Sequence, residues 1–179
     1  MDLRTQKTEE AIRNAFLSLR SKTPLEKITV KNLCEQARIN KSTFYAHYAD
    51  IYALSDTLQQ EVVDDILAGI ADAPARSADN RDLWTKEIYL SALAHASLTD
   101  ILFEGRESGK LVTLLDTGVK EIFFERFPEL QSDARHRIIL SYSVQGAYYA
   151  YANTRDIDSD TMLRVLEDIV SAINSIYNV

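Results

Sequence analysis

Apolar residues recur at three- and four-residue spacing along almost the entire chain, and this period is that of one face of an α-helix. Residues that break helices are scarce, because the 179 residues include only five glycines and three prolines. The alternation of apolar and polar residues that is typical of strands is not seen. The sequence therefore predicts an all-α fold of about nine helices, and hydrophobic residues, 46% of the chain, suffice to fill a core.

Capping residues mark where several of these helices begin. Thr29, Asn40 and Asp50 each precede a helical pattern and carry a side-chain oxygen that can accept from backbone N–H groups of the first turn. Three caps so close together predict short helices joined by tight turns, and the stretch 71–80 has the composition of a linker. We expect helices over residues 4–19, 30–37, from 41 onward, 51–70, 81–104, 110–127, 133–153 and 159–177.

Charge is distributed unevenly along the chain, whose formal net charge is -7. Residues 1–50 hold 9 basic and 6 acidic side chains, whereas residues 51–179 hold 11 basic and 21 acidic ones. This asymmetry favours a small N-terminal module that faces a polyanion, followed by a larger acidic body. A chance fluctuation of a few charges is the alternative.

The segment 28–48 has the organisation of a helix-turn-helix, in which two short capped helices are joined by a tight turn. Its second helix lies in the stretch INKSTFYAHY, residues 39–48, which contains no acidic residue that would repel phosphates. Lys41, Ser42 and Thr43 fall in the first turn of that helix, where side chains can reach base edges in a major groove.

The order of residues in this segment resembles the DNA-binding motif of the tetracycline-repressor (TetR/AcrR) family of bacterial transcription regulators. The residues that carry the resemblance are Ile28-Thr29-Val30, Leu33-Cys34-Glu35-Gln36-Ala37 and Asn40-Lys41-Ser42-Thr43-Phe44-Tyr45-Ala46-His47-Tyr48. The resemblance covers about residues 8–58. It implies a helix-turn-helix DNA-binding domain over residues 1–50 and a helical effector-binding and dimerisation domain over 51–179.

The resemblance also implies roles for individual residues. Thr29 would cap a helix and contact a phosphate, with Lys31 adding electrostatic attraction nearby. Residues that would face bases are Lys41, Ser42, Thr43 and Ala46, and those that would bond to phosphates are Tyr45 and His47. The inward residues Phe44 and Tyr48 would pack beneath the second helix.

Two positions depart from the family pattern. Arg38 stands in the turn where glycine is common, and such a turn is costly for arginine if it needs a positive φ. Ile51 stands where a lysine usually contacts a phosphate. These departures favour an alternative, an adaptor of the same architecture that has lost specific DNA binding and acts through protein–protein interaction.

The last two helices carry a wide apolar surface that predicts a homodimer. Its candidate residues are Tyr142, Gly146, Tyr149, Met162, Leu166, Ile169, Ile173 and Ile176. A well-packed core of one subunit is the alternative reading of this pattern. A dimer would present two reading helices, and a pseudo-palindromic operator in double-stranded DNA follows from that symmetry.

The resemblance implies a small-molecule effector that controls DNA affinity, and repression as the usual outcome. Candidates for the effector pocket are Trp84, Tyr89, His95, Phe103, Phe123 and Tyr142, although aromatic residues at helical spacing are also typical of a core.

Catalytic, metal and cofactor sites are not expected. The segment Gly105–Lys110 lacks the spacing and the Ser/Thr of a phosphate-binding loop. The three histidines have no metal-ligand spacing, and the single cysteine, Cys34, has no evident base. No apolar run is long enough to cross a membrane and the start has no signal-like core, so we expect a cytoplasmic protein.

Overall fold

The computed structural model describes residues 3–71 and 81–177, apart from the side chains of residues 71, 81–85, 174, 176 and 177. Within these ranges all of the regular secondary structure is helical, which confirms the predicted all-α fold. The nine α-helices there are α1 Leu3–Arg20, α2 Val30–Ala37, α3 Lys41–His47, α4 Ile51–Ala71, α5 Arg81–Ala94, α6 Ala96–Leu102, α7 Ser108–Arg126, α8 Ala134–Asn153 and α9 Ser159–Tyr177. Single 3-10 turns lie at Leu25–Lys27, Gly105–Glu107 and Pro128–Leu130.

The three predicted N-caps are present. The Thr29 hydroxyl accepts from the Asn32 N–H at 3.2 Å and begins α2. Asn40 Oδ1 accepts from the Thr43 N–H at 2.8 Å and begins α3. Asp50 accepts from the Ala53 N–H at 2.8 Å and begins α4. Each bond satisfies one of the N–H groups that a helix start leaves without an intrahelical partner.

The single helix predicted over residues 81–104 is wrong, because the structure has two helices there, α5 and α6, which are separated at His95. His95 Nδ1 lies 2.8 Å from the Ser91 carbonyl oxygen, the acceptor that the His95 N–H would use in a continuous α-helix. The His95 N–H bonds instead to the Ala92 oxygen at 3.2 Å. At the end of α5 the His95 ring, and not its backbone N–H, thus lies against the Ser91 oxygen.

The chain divides into two compact units, and the first consists of Met1–Val62 with Ser97–Ser108. In this unit α1 packs against α2 and α2 against α3. Its interior contains fully buried apolar side chains from each of these helices and from α4, namely Ile12, Phe16, Leu33, Phe44 and Leu54. Burial of side chains of this size is the main stabilising contribution of such a core.

Two buried polar side chains hold residues 102–107 within the first unit. Gln59 is 0% exposed, and its Nε2 donates to the Leu102 carbonyl oxygen at 2.9 Å and to the Glu107 carboxylate at 3.3 Å. Arg20 is 2% exposed and donates to the Glu104 carbonyl oxygen at 2.8 Å and to its carboxylate at 3.3 Å. Because buried polar groups are costly without partners, this segment completes the unit.

The second unit consists of Val63–Ala96 with Gly109–Val179. Here α5 packs along α9, and Tyr89 forms an apolar cluster with Met162 and Leu166. Gly118 allows a close approach of α4 and α7, because a Cβ at this position would lie 2.2 Å from the Leu67 Cδ1. None of the helices in the described ranges has the length and apolar character needed to cross a membrane.

Candidate nucleic-acid interface

Arg38 forms the turn between α2 and α3 in a left-handed conformation, with φ 56° and ψ 42°. Its N–H donates to the Glu35 oxygen at 3.4 Å, and the Ile39 N–H donates to the Cys34 oxygen at 3.0 Å. These two bonds close the end of α2 in the pattern that usually has glycine at the left-handed position. The chain therefore makes the glycine-type turn with an arginine.

The α3 helix separates inward from outward side chains. Phe44 is 0% exposed, and its burial in the core fixes the helix on the first unit. Its ring also lies near those of Tyr45 and Tyr48. The exposed residues on the opposite side are Lys41, Ser42, Tyr45 and Ala46. Tyr45 is 56% exposed, so its hydroxyl is available to a partner outside the protein. Of the four predicted base-reading residues, Lys41, Ser42 and Ala46 are thus exposed on this helix, and Thr43 is half-buried.

Asn40 organises the hydroxyl groups at the start of this surface. Besides the capping bond from the Thr43 backbone, its Oδ1 accepts from the Ser42 hydroxyl at 2.7 Å and from the Thr43 hydroxyl at 2.8 Å. These bonds fix the two hydroxyls relative to the helix start. The arrangement could not be derived from the capping pattern alone, which predicts only the backbone bond.

His47 is placed differently from the other predicted contact residues. Its side chain is 16% exposed, and its Nδ1 lies 3.3 Å from the Glu9 carboxylate of α1. Lys31, by contrast, is 70% exposed and lies 4.0 Å from Glu35 one helical turn away. Both side chains thus lie near a carboxylate of their own chain.

The packing beneath α3 also perturbs two titratable groups. Burial, and then the nearby Glu9 and Glu61 carboxylates, raise the pKa of the Tyr48 hydroxyl, so it stays protonated near neutral pH. Burial also raises the pKa of the Cys34 thiol, although Lys41 acts in the opposite direction. A buried, protonated thiol is a poor nucleophile.

Ile51, at the start of α4, is 5% exposed. At the position where a lysine is usual in the family that the sequence resembles, this chain therefore has an apolar side chain that belongs to the core of the first unit. Ile51 contributes no positive charge to the surface near α3.

The six candidates for an effector pocket do not share one described cavity. Tyr89 and Phe123 are buried, His95 lies at the break after α5, and Tyr142 is 68% exposed. Phe103 is buried and belongs to the first unit, and the Trp84 side chain lies outside the described residues. A cleft of about 520 Å³ in the first unit and another of about 720 Å³ in the second are lined by other residues, including Arg20 and Lys120 respectively.

The candidates for a dimer interface divide into two groups. Tyr142, Gly146, Tyr149 and Ile169 are exposed, and Ile173 is half-buried. Met162 and Leu166 instead pack inside the second unit against Tyr89, and the Ile176 side chain lies outside the described residues. Two further exposed apolar residues of α8 and α9, which sequence reasoning missed, are Ile138 and Val165.

Among the described side chains, no group of three or more His, Cys, Asp or Glu residues is placed to hold a metal ion.

No protein-family model matches the chain. The similarities to known proteins include one in sequence and one in structure. The chain is 31% identical over 107 residues to "Uncharacterized HTH-type transcriptional regulator YxbF" of Bacillus subtilis (strain 168). This match covers 57% of the chain but only 28% of the length of that relative.

The second similarity is to the crystal structure of a "putative transcriptional regulator" from Pseudomonas aeruginosa PAO1, with a TM-score of 0.59. The superposition covers 98% of this chain and 93% of that chain at 12% sequence identity. At this identity the likeness shows a shared fold. The sequence relative, by its own description, is an HTH-type transcriptional regulator.

Proposed function

We propose that this protein is a DNA-binding transcription regulator of the TetR type, a repressor that binds a pseudo-palindromic operator as a homodimer. The observation that carries the proposal is the surface of α3, on which Lys41, Ser42 and Tyr45 are exposed while Phe44 is fully buried. A helix held in this way can enter a major groove and present its first-turn side chains to base edges. The similarity to an HTH-type transcriptional regulator supports the same function.

The surroundings of α3 suit a duplex. Thr29 and Lys31 at the exposed start of α2 would lie against the phosphate backbone, with Tyr45 as a further phosphate donor. Lys41, which is exposed and has only donors, would pair with acceptors such as guanine O6 and N7. His47 would contribute less directly, because its Nδ1 lies near Glu9.

Fluorescence anisotropy tests this function with duplexes from the promoter regions of the protein's own gene and its neighbours. We expect preference for one duplex over random DNA of equal length, with affinity that falls steeply between about 50 and 200 mM salt. Lys41→Ala should weaken binding to that duplex. The matched control is Lys110→Ala, which changes a lysine of the second unit.

Equal affinity for all duplexes, with or without Lys41, would rule out the proposed function. That result would support the alternative, an adaptor that acts through another protein. The burial of Ile51 favours the alternative, because it removes a phosphate contact expected in a DNA-binding member of the resembling family.

The exposed apolar side chains of α8 and α9 support the homodimer. Tyr142 and Ile138 are both 68% exposed, one helical turn apart on α8, and Val165 and Ile169 are 49% and 46% exposed on α9. Neighbouring exposed apolar side chains such as these favour a protein interface. A Cβ added at Gly146 would meet no atom within 4 Å, so this position leaves room for a partner.

Dimerisation also supplies the specificity that one short helix lacks. A well-made base contact discriminates by roughly 1–3 kcal/mol, so two copies of α3 on a pseudo-palindrome double the number of such contacts.

The second unit would bind a small effector in this proposal, with Tyr89, His95 and Phe123 as the side chains to examine first. An effector would alter repression only by binding the DNA-competent and DNA-incompetent states with different affinity. The protein would act in the cytoplasm, without enzymatic activity.

A further inference from the structure

We infer that Ser42 and Thr43 read DNA as hydrogen-bond acceptors, so that their partners in the major groove are the exocyclic amino groups of adenine and cytosine. The inference rests on the proposed function. It goes beyond it by assigning a direction to two hydrogen bonds that a hydroxyl could otherwise make either way.

The orientation of the Asn40 amide is fixed by the backbone. The Thr43 N–H can only donate, and it lies 2.8 Å from one terminal atom of the Asn40 side chain. That atom must therefore be the oxygen, because the amide nitrogen of asparagine has no acceptor to offer. A flipped amide would place two donors against each other at the start of α3.

The same oxygen determines where the hydroxyl protons lie. Asn40 Oδ1 carries no hydrogen, and it lies 2.7 Å from the Ser42 hydroxyl oxygen and 2.8 Å from that of Thr43. At these distances both hydroxyls donate to Oδ1. A hydroxyl has one proton, so what Ser42 and Thr43 offer to an outside partner is lone pairs. Turning either proton toward a base would break its bond to Asn40.

Acceptors on the protein require donors on the DNA. The major groove offers only two kinds, the N6 amino group of adenine and the N4 amino group of cytosine, whereas guanine O6 and N7, adenine N7 and thymine O4 are acceptors. Lys41, next to these hydroxyls, has only donors and would take the guanine acceptors. The first turn of α3 thus combines one donor side chain with two acceptor side chains.

Base analogues test this polarity at single atoms. An operator is first selected from random duplex DNA with the full-length protein. Each adenine is then replaced in turn by purine deoxyriboside, which lacks N6 amine but keeps N7, and each cytosine by 2-pyrimidinone deoxyriboside, which lacks the N4 amine. Parallel duplexes carry 7-deazaguanine or 7-deazaadenine, which lack the N7 acceptor. Dissociation constants are measured by anisotropy for the wild type, Lys41→Ala, Ser42→Ala and Thr43→Val, with helix content checked by circular dichroism.

We expect each hydroxyl to couple to one amine. Removal of that amine should weaken wild-type binding by roughly 3- to 10-fold, the range of one hydrogen bond, and should not weaken binding further in the variant that lacks the partner hydroxyl. Lys41→Ala should show the reverse pattern, with coupling to the 7-deaza substitutions.

Two results would overturn the inference. If selection yields no sequence above random DNA, the proposed function is wrong and the inference with it. If an operator is found, but Ser42→Ala and Thr43→Val couple to loss of N7 or to no amine, the inference alone is wrong.

Discussion

Arg38 makes a turn at φ 56° that the Cβ of an L-residue disfavours. The left-handed conformation costs a non-glycine residue roughly 1–2 kcal/mol, and no other non-glycine residue in the described ranges has a positive φ. This conformational strain lies at the turn between α2 and α3, the two helices of the proposed DNA-binding motif. Glycine, which has no Cβ, would relieve it without altering the path of the chain.

Arg38→Gly is therefore expected to stabilise the protein, by up to about 1 kcal/mol, because glycine adopts this conformation without strain. Urea denaturation followed by circular dichroism measures the change. Gln36→Gly, on the exposed side of α2, is the matched control and should destabilise by about 0.5–1 kcal/mol, since its backbone is helical. Equal destabilisation by both substitutions would contradict the strain at Arg38.

At the scale of residues, the interactions between side chains and backbone groups that are close along the chain could be predicted from the sequence. The caps at Thr29, Asn40 and Asp50 depend on atoms two or three residues away, and all three are present. The approach of His47 to Glu9 was not predictable, because it depends on how α1 packs in the first unit.

At the scale of helices, the periodic pattern located the elements and missed one boundary. Apolar spacing continues across His95, so nothing in the period indicates the end of α5. The break coincides with the contact between the His95 imidazole and the Ser91 carbonyl oxygen, where side chain and backbone can compete for one acceptor. Such competition leaves no trace in hydrophobicity.

The start of α9 provides a pH-dependent prediction. The Thr161 N–H donates to Asp158 at 2.9 Å, and this bond is the main cause that lowers the pKa of the Asp158 carboxyl below its usual 3.8. Because the pKa is lower in the folded state, the stabilisation is complete above the unfolded value and is lost as pH falls through the folded one.

We therefore expect the melting temperature to fall as pH is lowered through and below the usual pKa of 3.8. Asp158→Asn should reduce this fall, because asparagine caps a helix without titrating. Thermal denaturation at a series of pH values measures it. Asp156→Asn, an exposed residue of the same loop, serves as the control. If both variants show the wild-type pH dependence, the cap makes no contribution.

At the scale of the whole molecule, an apolar stripe does not reveal what covers it. The stripe of α9 is divided between an inner side, where Met162 and Leu166 pack on Tyr89, and an outer side with Val165 and Ile169. The periodic spacing of apolar residues predicted the helix and the width of its apolar surface. Only the positions of the neighbouring helices distinguish the residues already buried in one subunit from those left for a partner.

The outer side gives a test of the proposed dimer. Tyr142→Glu and Ile169→Glu should convert a dimer to a monomer of 20.3 kDa in light scattering, because each places a charge in an apolar contact. Ile157→Glu is the control, since Ile157 is exposed outside α8 and α9 and should leave the mass unchanged. A wild-type monomer at micromolar concentration would rule out the dimer, and operator affinity should fall together with the dimer.

The hydrogen bonds from Gln59 and Arg20 to residues 102–107 affect how such a protein can evolve. Residues 1–62 do not by themselves complete the first unit, because the buried Gln59 amide and Arg20 guanidinium donate to the carbonyl oxygens of Leu102 and Glu104, which are encoded much later in the gene. Recombination at a single junction would join residues 1–62 to the later part of another protein, and both side chains would lose these acceptors, at a cost of about 1–3 kcal/mol for each. New DNA specificity is therefore expected to arise by point substitution on the solvent-exposed side of α3. Homologues in which residues 1–62 have been exchanged should also carry a matched exchange of residues 97–108.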